Sequence, residues 1–490
     1  MTELTARLGG PEAITAGIVA EFQKMCAVPH PSHGERAVGR LLARRLEALG
    51  GVPVMDAAGN LTADLPAAPG CGGAPLTILQ GHMDMVCAVR PGSGYEPERD
   101  PIRAEAADGF LRSDGRSSLG ADNGLGNAAV LWLLGRKLER GPVRVIFTVA
   151  EEVGLAGARE VDPSWLAGAR YLLNTDGFHL GTAVVGSAGG RRETFSRPLA
   201  TCPAGAGQAF SVSLSGFSGG HSGDDIHRGR GNPVKALTAL LSALPFPWAL
   251  ADFSGGQAHN AIPTWAAAVV TLSPAHVPEL KLAFEAWSAE LEAAHRASDP
   301  NFRAALEETA LPEQAWDNAC RDALLALTVG LTHGVQRWHA DFPGVVSASA
   351  NLGRVWTEDG TIKAAEFIRC ADPADEAAMA GAHRRLAEAS GFAAAATGYP
   401  AWQGRPDNPL ALLMDRVFRR EAGRGMEISA VHVGLEPSFF QAKAPEVVMA
   451  VSGPDILDAH SPDERAPLSS LPVYAALLAG TLEEIGHQQG

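Results

Sequence analysis

The sequence predicts an α/β fold of two domains, a mixed sheet in the first and a smaller α+β domain inserted into it. Three observations carry that expectation. Nearly continuous apolar runs alternate with helical patterns in the first part of the chain, polar–apolar alternation takes over near Gly186, and the earlier style returns after about Thr397. At 490 residues the chain exceeds one compact core, since domains average roughly 150 residues. The first domain is therefore expected over 1–187 and 397–490, and the inserted one over 188–396.

In chain order, "LTILQ" from Leu76 and the β-branched "VRVIFTVA" from Val143 read as strands, as does "YLLN" from Tyr171. Between the first two, "NGLGNAAVLWLLGRKLER" has helical spacing and a basic end. In the insert, "AFSVSLSG" alternates like a strand with one exposed face, and "NPVKALTALLSAL" is amphipathic. "TWAAAVVTLS" and "AAEFIRC" read as strands, and "VPELKLAFEAWSAELEAAHRA" and "ADEAAMAGAHRRLAEAS" as helices. Finally "EVVMAVSG" reads as a buried strand, and "LPVYAALLAGTLEEIG" as a closing helix with Pro472 near its start.

The totals exclude several classes. With 46% hydrophobic and 19% charged residues the chain is globular rather than disordered. A net charge of -15 argues against nucleic acid and anionic membranes, which attract clustered Lys and Arg. The N-terminal stretch shows no secretory signal, and no apolar run reaches the ~20 residues of a bilayer span. The six scattered cysteines form no CxxC pair, so reduced thiols in a cytoplasm are expected.

Chemistry concentrates where the strands end. His82 and Asp84 follow "LTILQG", Glu151 and Glu152 follow "VRVIFTVA", Asp176 follows "YLLNT", and His460 follows the last strand. Asp122 lies in the Gly-rich "SLGADNGLGN". Singly, each has a plainer use, as turn, cap or solvated acid. Together they occupy the carboxyl ends of strands, where open α/β sheets bind ligands. Two imidazoles and three carboxylates are what two divalent ions need when one carboxylate is shared. His82, Asp122, Glu152, Asp176 and His460 supply that set; zinc is expected, and cobalt or manganese accept the same donors. Asp84, two residues from His82, is expected to take the other imidazole N–H. Glu151 is placed as a general base on water.

The motifs "HMDMV", "GADNG", "AEEVG", "NTD" and "HSPDE" resemble, in order and spacing, the dinuclear-zinc metallopeptidases of the aminoacylase and carboxypeptidase type. Within them "VPHPSHGE", "GVQRWHADFPGVV", "GGHSGDDIHRGRGN", "HNAIP", "GYPAWQ" and "HVGLE" resemble the aminoacyl-histidine dipeptidase branch. The resemblance implies a discontinuous catalytic domain and a lid between its halves. It implies His82 and Asp176 on one ion, Glu152 and His460 on the other, and Asp122 bridging. It places His221, Asn260 and Arg369 as contacts to a dipeptide substrate, and suggests a homodimer. The chain departs from the branch after the third ligand, where "DGFHL" replaces an acidic pair, so neighbouring contacts differ. The expected reaction is hydrolysis of dipeptides, Xaa-His or broader, with N-acyl amino acid hydrolysis as the alternative on the same fold. A non-catalytic peptide binder would be expected to lose Glu151 or a ligand, and none is lost. A nucleotide enzyme would need GxxxxGK[ST], which "GADNGLGN" lacks.

Overall fold

A computed structural model of the chain describes residues 2–488. They form two bodies. The first runs to Ser187 and resumes over Trp402–Ala430 and from Leu435 onward; the second takes Ala188–Ala401 and Val431–Gly434.

The main sheet of the first body has strands β1 (Val52–Met55), β2 (Leu61–Leu65), β3 (Leu76–His82), β4 (Val143–Thr148), β5 (Ala169–Asn174), β6 (Thr182–Ser187), β7 (Glu427–Val431) and β8 (Val448–Val451). Their order is β1-β2-β4-β3-β5-β8-β6-β7. The central strands β4, β3, β5 and β8 are mutually parallel, while β2 joins β4, and β6 joins β8, antiparallel. The sheet is therefore mixed, as expected. Its central strands read as unbroken apolar runs because both faces are buried: Ile78, Leu79, Val145, Ile146, Leu172 and Leu173 are all in the core.

The helix Ala121–Leu134 packs on β3 and against the helices Pro11–Cys26 and Ser470–Gly486. Every residue of it except Gly124 is buried, so it is apolar all round rather than amphipathic. It stops at Leu134 with Gly135 as C-cap, short of the basic "RKLER" that belongs to the helical pattern of the sequence. Gly17 lets Pro11–Cys26 approach closely, since a Cβ there would meet the Trp132 ring at 1.9 Å.

The second body holds an antiparallel sheet. Its path runs through Arg303–Thr309, Gln208–Ser215, Ala266–Leu272, Trp248–Gly256, Val346–Glu358, Thr361–Cys370, Gly189–Pro198 and Ala393–Tyr399, with Gly334–Trp338 paired to Val346–Glu358. One face is packed by Pro233–Ala243 and Asn318–Gly330, whose Leu237, Leu241, Leu324 and Leu327 share a core with Phe210, Val212 and Leu214. Burying each such side chain contributes about 1.5–3 kcal/mol. The long strand Val346–Glu358 has no counterpart in the hydrophobic pattern, because its Ser, Ala, Asn and Gly residues carry no apolar run. The return to the first body falls later than Thr397. Ala393–Tyr399 pairs along Gly189–Pro198, from Ala393 opposite Ser196 to Tyr399 opposite Gly190, and so stays with the second sheet. Ser187 and Trp402 then exchange backbone hydrogen bonds at 2.9 and 3.0 Å where the chain leaves and re-enters.

Candidate metal and catalytic site

The parallel strands of the first body deliver their C-terminal ends to one place. His82 is the last residue of β3. Glu151 and Glu152 follow β4, Asp176 follows β5, and the loop after β8 carries His460. Asp122 lies in the first turn of Ala121–Leu134 but has non-helical torsions, φ -80° and ψ 111°, and the Asp122–Asn123 peptide is cis. Ala150, just before Glu151, and His460 are both left-handed, at φ 50° and 61°. Such left-handed torsions cost of order 1 kcal/mol and persist only where surrounding bonds hold them. Ala150 is held through its N–H, which donates to Glu35 Oε1 at 2.9 Å.

Asp122 is the centre of the arrangement. His82 Nε2 lies 2.9 Å from its Oδ1, and His460 Nε2 lies 2.9 Å from its Oδ2. Asp176 Oδ1 is 3.5 Å from His82 Nε2, and Glu152 Oε1 is 3.1 Å from His460 Nε2. The donor atoms of His82, Asp122 and Asp176 lie within 4.8 Å of one another, as do those of Asp122, Glu152 and His460, and those of His82, Glu151 and Glu152. Each group could hold a metal ion, and two of them share Asp122.

The electrostatics fit a cation. Burial alone would lower the His82 imidazole, but Asp176, Asp122 and Asp84 hold it well above its ordinary value. Hydrogen bonds to Asp122 and Glu152 bring His460 up to about 11. Glu151 and Asp176 are pushed well up, first by burial and then by neighbouring carboxylates, and Glu152 is raised for the same reasons. Burial would raise Asp122 too, yet it is held down, because His460 and His82 both bond to it. Asp176 Oδ1 is buried and has no hydrogen-bond partner among the described residues. A place that draws protons onto imidazoles and carboxylates alike lacks positive charge, and the donors present are those that divalent zinc, cobalt or manganese accept.

Asp84 behaves differently from the sequence expectation. The His82 Nδ1 partner is the Asp84 backbone carbonyl, at 2.9 Å, while the carboxylate Oδ1 stands at 3.5 Å. The carboxylate instead accepts the N–H groups of Glu151 and Glu152, at 3.0 and 3.2 Å, and the Ser32 hydroxyl at 2.8 Å. It thus fixes the turn that presents both glutamates. Burial would raise its pKa, but His82 and these bonds depress it.

Three further acids stand at the ends of motifs, where the pattern of strand ends does not reach them: Glu35 of "VPHPSHGE", Glu436 of "HVGLE" and Glu464 of "HSPDE". All three are buried. Glu436 accepts from Gln80 Nε2 at 2.5 Å, Gln80 Oε1 accepts from Asn174 Nδ2 at 2.5 Å, and Asn174 Oδ1 accepts the Asp176 N–H at 2.8 Å. Glu464 accepts backbone N–H groups from the Asp122 loop. Position at a motif end is the one signal they carry in the sequence; apart from the His33 N–H on Glu35, the partners named here are far away in the chain.

His221, Asn260 and Arg369 belong to the second body. Arg369, on Thr361–Cys370, is 4% exposed. It donates to Tyr399 Oη at 3.0 Å, His221 Nε2 at 3.2 Å and Ser222 Oγ at 3.4 Å, and lies over the Phe367 ring at 4.5 Å. No carboxylate among the described residues forms a salt bridge with it. His221 Nδ1 accepts the Asp224 N–H at 3.3 Å and stands 3.2 Å from Asp224 Oδ2. Asn260 is exposed, and its backbone carbonyl accepts the Ser222 N–H at 2.8 Å.

Known proteins resemble this chain along nearly its whole length. The chain is 32% identical over 470 residues to the cytosol non-specific dipeptidase of Escherichia coli K12, covering 95% of this chain and 96% of that one. The structure superposes on that of aminoacylhistidine dipeptidase from Vibrio alginolyticus with a TM-score of 0.85 at 28% identity, covering 99% and 98% of the two chains. It shares its fold with human carnosine dipeptidase 1, at a TM-score of 0.56 and 15% identity over 99% of each chain. Residues 78–484 match the model of peptidase family M20/M25/M40, and the chain belongs to that family.

Proposed function

We propose that this chain is a metal-dependent dipeptidase that hydrolyses the amide bond of dipeptides, Xaa-His or broader. The observation that carries the proposal is the Asp122 carboxylate, whose two oxygens each stand 2.9 Å from a different imidazole. His82, Asp122 and Asp176 are assigned to one divalent ion, and Asp122, Glu152 and His460 to the other; zinc is the proposed metal. Ions so held lower the pKa of water and polarise a carbonyl. The dipeptide substrate follows the similarity to the Escherichia coli and Vibrio enzymes.

Glu151 is assigned as the base. Its burial beside Glu152 and Asp176 raises its proton affinity, which suits a group that takes a proton from the attacking water and returns it to the leaving amine. Asp84 positions Glu151 through the 3.0 Å bond to its N–H. Arg369 is assigned to the substrate carboxylate, because a buried guanidinium with only neutral partners has its charge uncompensated. His221 is assigned to the developing oxyanion and Asn260 to substrate contact. For His221 Nε2 to donate, it must release Arg369 Nη2, so the two roles are coupled.

A cytoplasmic setting is proposed from the unbridged state of all six cysteines and the likeness to a cytosol enzyme. No helix among the described residues is long and apolar enough to cross a membrane. The test is metal content by elemental analysis, coupled to a panel of dipeptides, including Xaa-His, and N-acyl amino acids, with and without chelator. Chelator-sensitive cleavage of dipeptides is expected. Cleavage of the N-acyl amino acids alone would refute the dipeptidase reading.

A further inference from the structure

We infer that Glu464 is a positioning residue for both ions: it fastens the loop carrying His460 to the loop carrying Asp122. Its carboxylate is 3% exposed and touches neither imidazole within hydrogen-bonding distance. Oε2 accepts the N–H groups of Leu119 and Gly120 at 2.9 and 3.0 Å, and Oε1 those of Ala121 and Asp122 at 2.8 and 3.3 Å. These four donors lie 342 to 345 residues away in sequence.

Leu119 and Gly120 precede the helix, and Ala121 and Asp122 open it with Asp122 and Asn123 in non-helical torsions, so these N–H groups need a partner from outside the helix. The Glu464 carboxylate satisfies all four. What is unusual is the origin of the carboxylate. Ordinary N-caps come from the residue before the helix; here Gly120 stands at that position, left-handed at φ 73°, and offers no side chain. A Cβ on Gly120 would meet Met85 Sδ at 2.7 Å, and its left-handed φ disfavours any side chain at that position.

The consequence is geometric. Asp122 Oδ2 and His460 Nε2 stand 2.9 Å apart, Asp122 at the irregular start of its helix and His460 on a loop closed by the paired Leu457 and Arg465 backbones. Glu464 lies on the His460 loop, where its own N–H bonds the Ser461 carbonyl at 3.1 Å. Through Glu464 the backbone at Asp122 is held to the backbone that aims His460. Because Asp122 is shared, its displacement disturbs both ion positions.

This inference rests on the two-ion reading above, and the experiment separates the two. Glu464→Gln keeps the size but leaves one acceptor oxygen, and it turns an amide NH2 toward two N–H donors. Zn2+ is titrated into the metal-free full-length chain and its affinity read by competition with a chromophoric chelator. The parent should bind two ions, and Glu464→Gln should bind them 10- to 100-fold more weakly, about the usual cost of losing an outer partner of a metal site. The surface variant Asp463→Asn should match the parent. Circular dichroism of the metal-free variants should be unchanged. In the parent itself, the Leu119–Asp122 amides should be protected from hydrogen exchange, a measurement that holds even if Glu464→Gln fails to fold. A parent that binds no ion overturns the two-ion reading. A parent with two ions, and parental affinity in Glu464→Gln, overturns the role of Glu464, as do four freely exchanging amides.

Discussion

Replacing Asp122 by Asn tests the core of the site with almost no change in shape. The perturbation removes one charge and converts one of two acceptor oxygens to an amide nitrogen. Both oxygens are engaged, each 2.9 Å from an imidazole Nε2. The donor atoms of both groups containing Asp122 lie within 4.8 Å of one another. At that separation two unit charges interact by roughly 3–4 kcal/mol at an effective dielectric constant of about 20. A loss of roughly 3 kcal/mol per ion is about a hundredfold in affinity, since each 1.4 kcal/mol is tenfold. After dialysis against a weak chelator, elemental analysis should find fewer than two ions per chain, and calorimetric titration should show weakened binding at both positions. Circular dichroism should match the parent, because the substitution is nearly isosteric. Two ions per chain at parental affinity in Asp122→Asn would refute the bridging role.

Three other outcomes follow from the same geometry. Glu151→Ala should abolish dipeptide turnover while ion content stays at the parental level; normal turnover would remove Glu151 from the chemistry. Arg369→Lys keeps the charge but loses the planar fork, so KM for dipeptides should rise about tenfold or more, in line with about 1.5–3 kcal/mol for a charge-assisted bond; an unchanged KM would show that Arg369 binds no carboxylate. The metal-free chain should lose stability as pH rises. His460, raised from 6.5 to about 11, stabilises the fold fully below 6.5, and that contribution is lost as pH climbs toward 11. The raised Glu151, Glu152 and Asp176 act in the same direction, since the folded state holds their protons longer. Thermal unfolding in chelator should therefore give a Tm that falls between about pH 7 and 10; a rise over that range would contradict it. Metal binding displaces these protons, so ion affinity should strengthen with pH over the same interval.

Much of the candidate site is legible in the residue pattern alone, for a definite reason. Ligands that sit at strand ends advertise themselves, because a period-two or continuous apolar run stops abruptly at a His or an acid. His82, the Glu151–Glu152 pair and Asp176 are such cases. His460 lies farther from its strand, and only its company with the others distinguishes it. Asp84 shows the limit of local reading. Its nearness to His82 suggests a carboxylate–imidazole bond, yet its backbone carbonyl takes that role and its carboxylate turns to the Glu151 and Glu152 amides. Sequence proximity pairs the two residues; the direction of the side chain depends on where β4 ends beside β3.

Hydrophobic periodicity and residue chemistry are local properties, so the mixed α/β class, the change of character near Gly186 and the donor set are all written in the amino-acid order. Other features exist only in three dimensions. The second sheet runs on to Tyr399 through pairing with Gly189–Pro198, although that last strand, four alanines followed by Thr, Gly and Tyr, has no hydrophobic alternation of its own. Glu436 and Glu464 become buried acceptors for backbone or amide groups only once distant segments meet, and Glu35 gains the Ala150 N–H in the same way. Burying a carboxylate is costly unless donors meet it. Those donors come from segments up to 356 residues away, a distance at which no local pattern carries information.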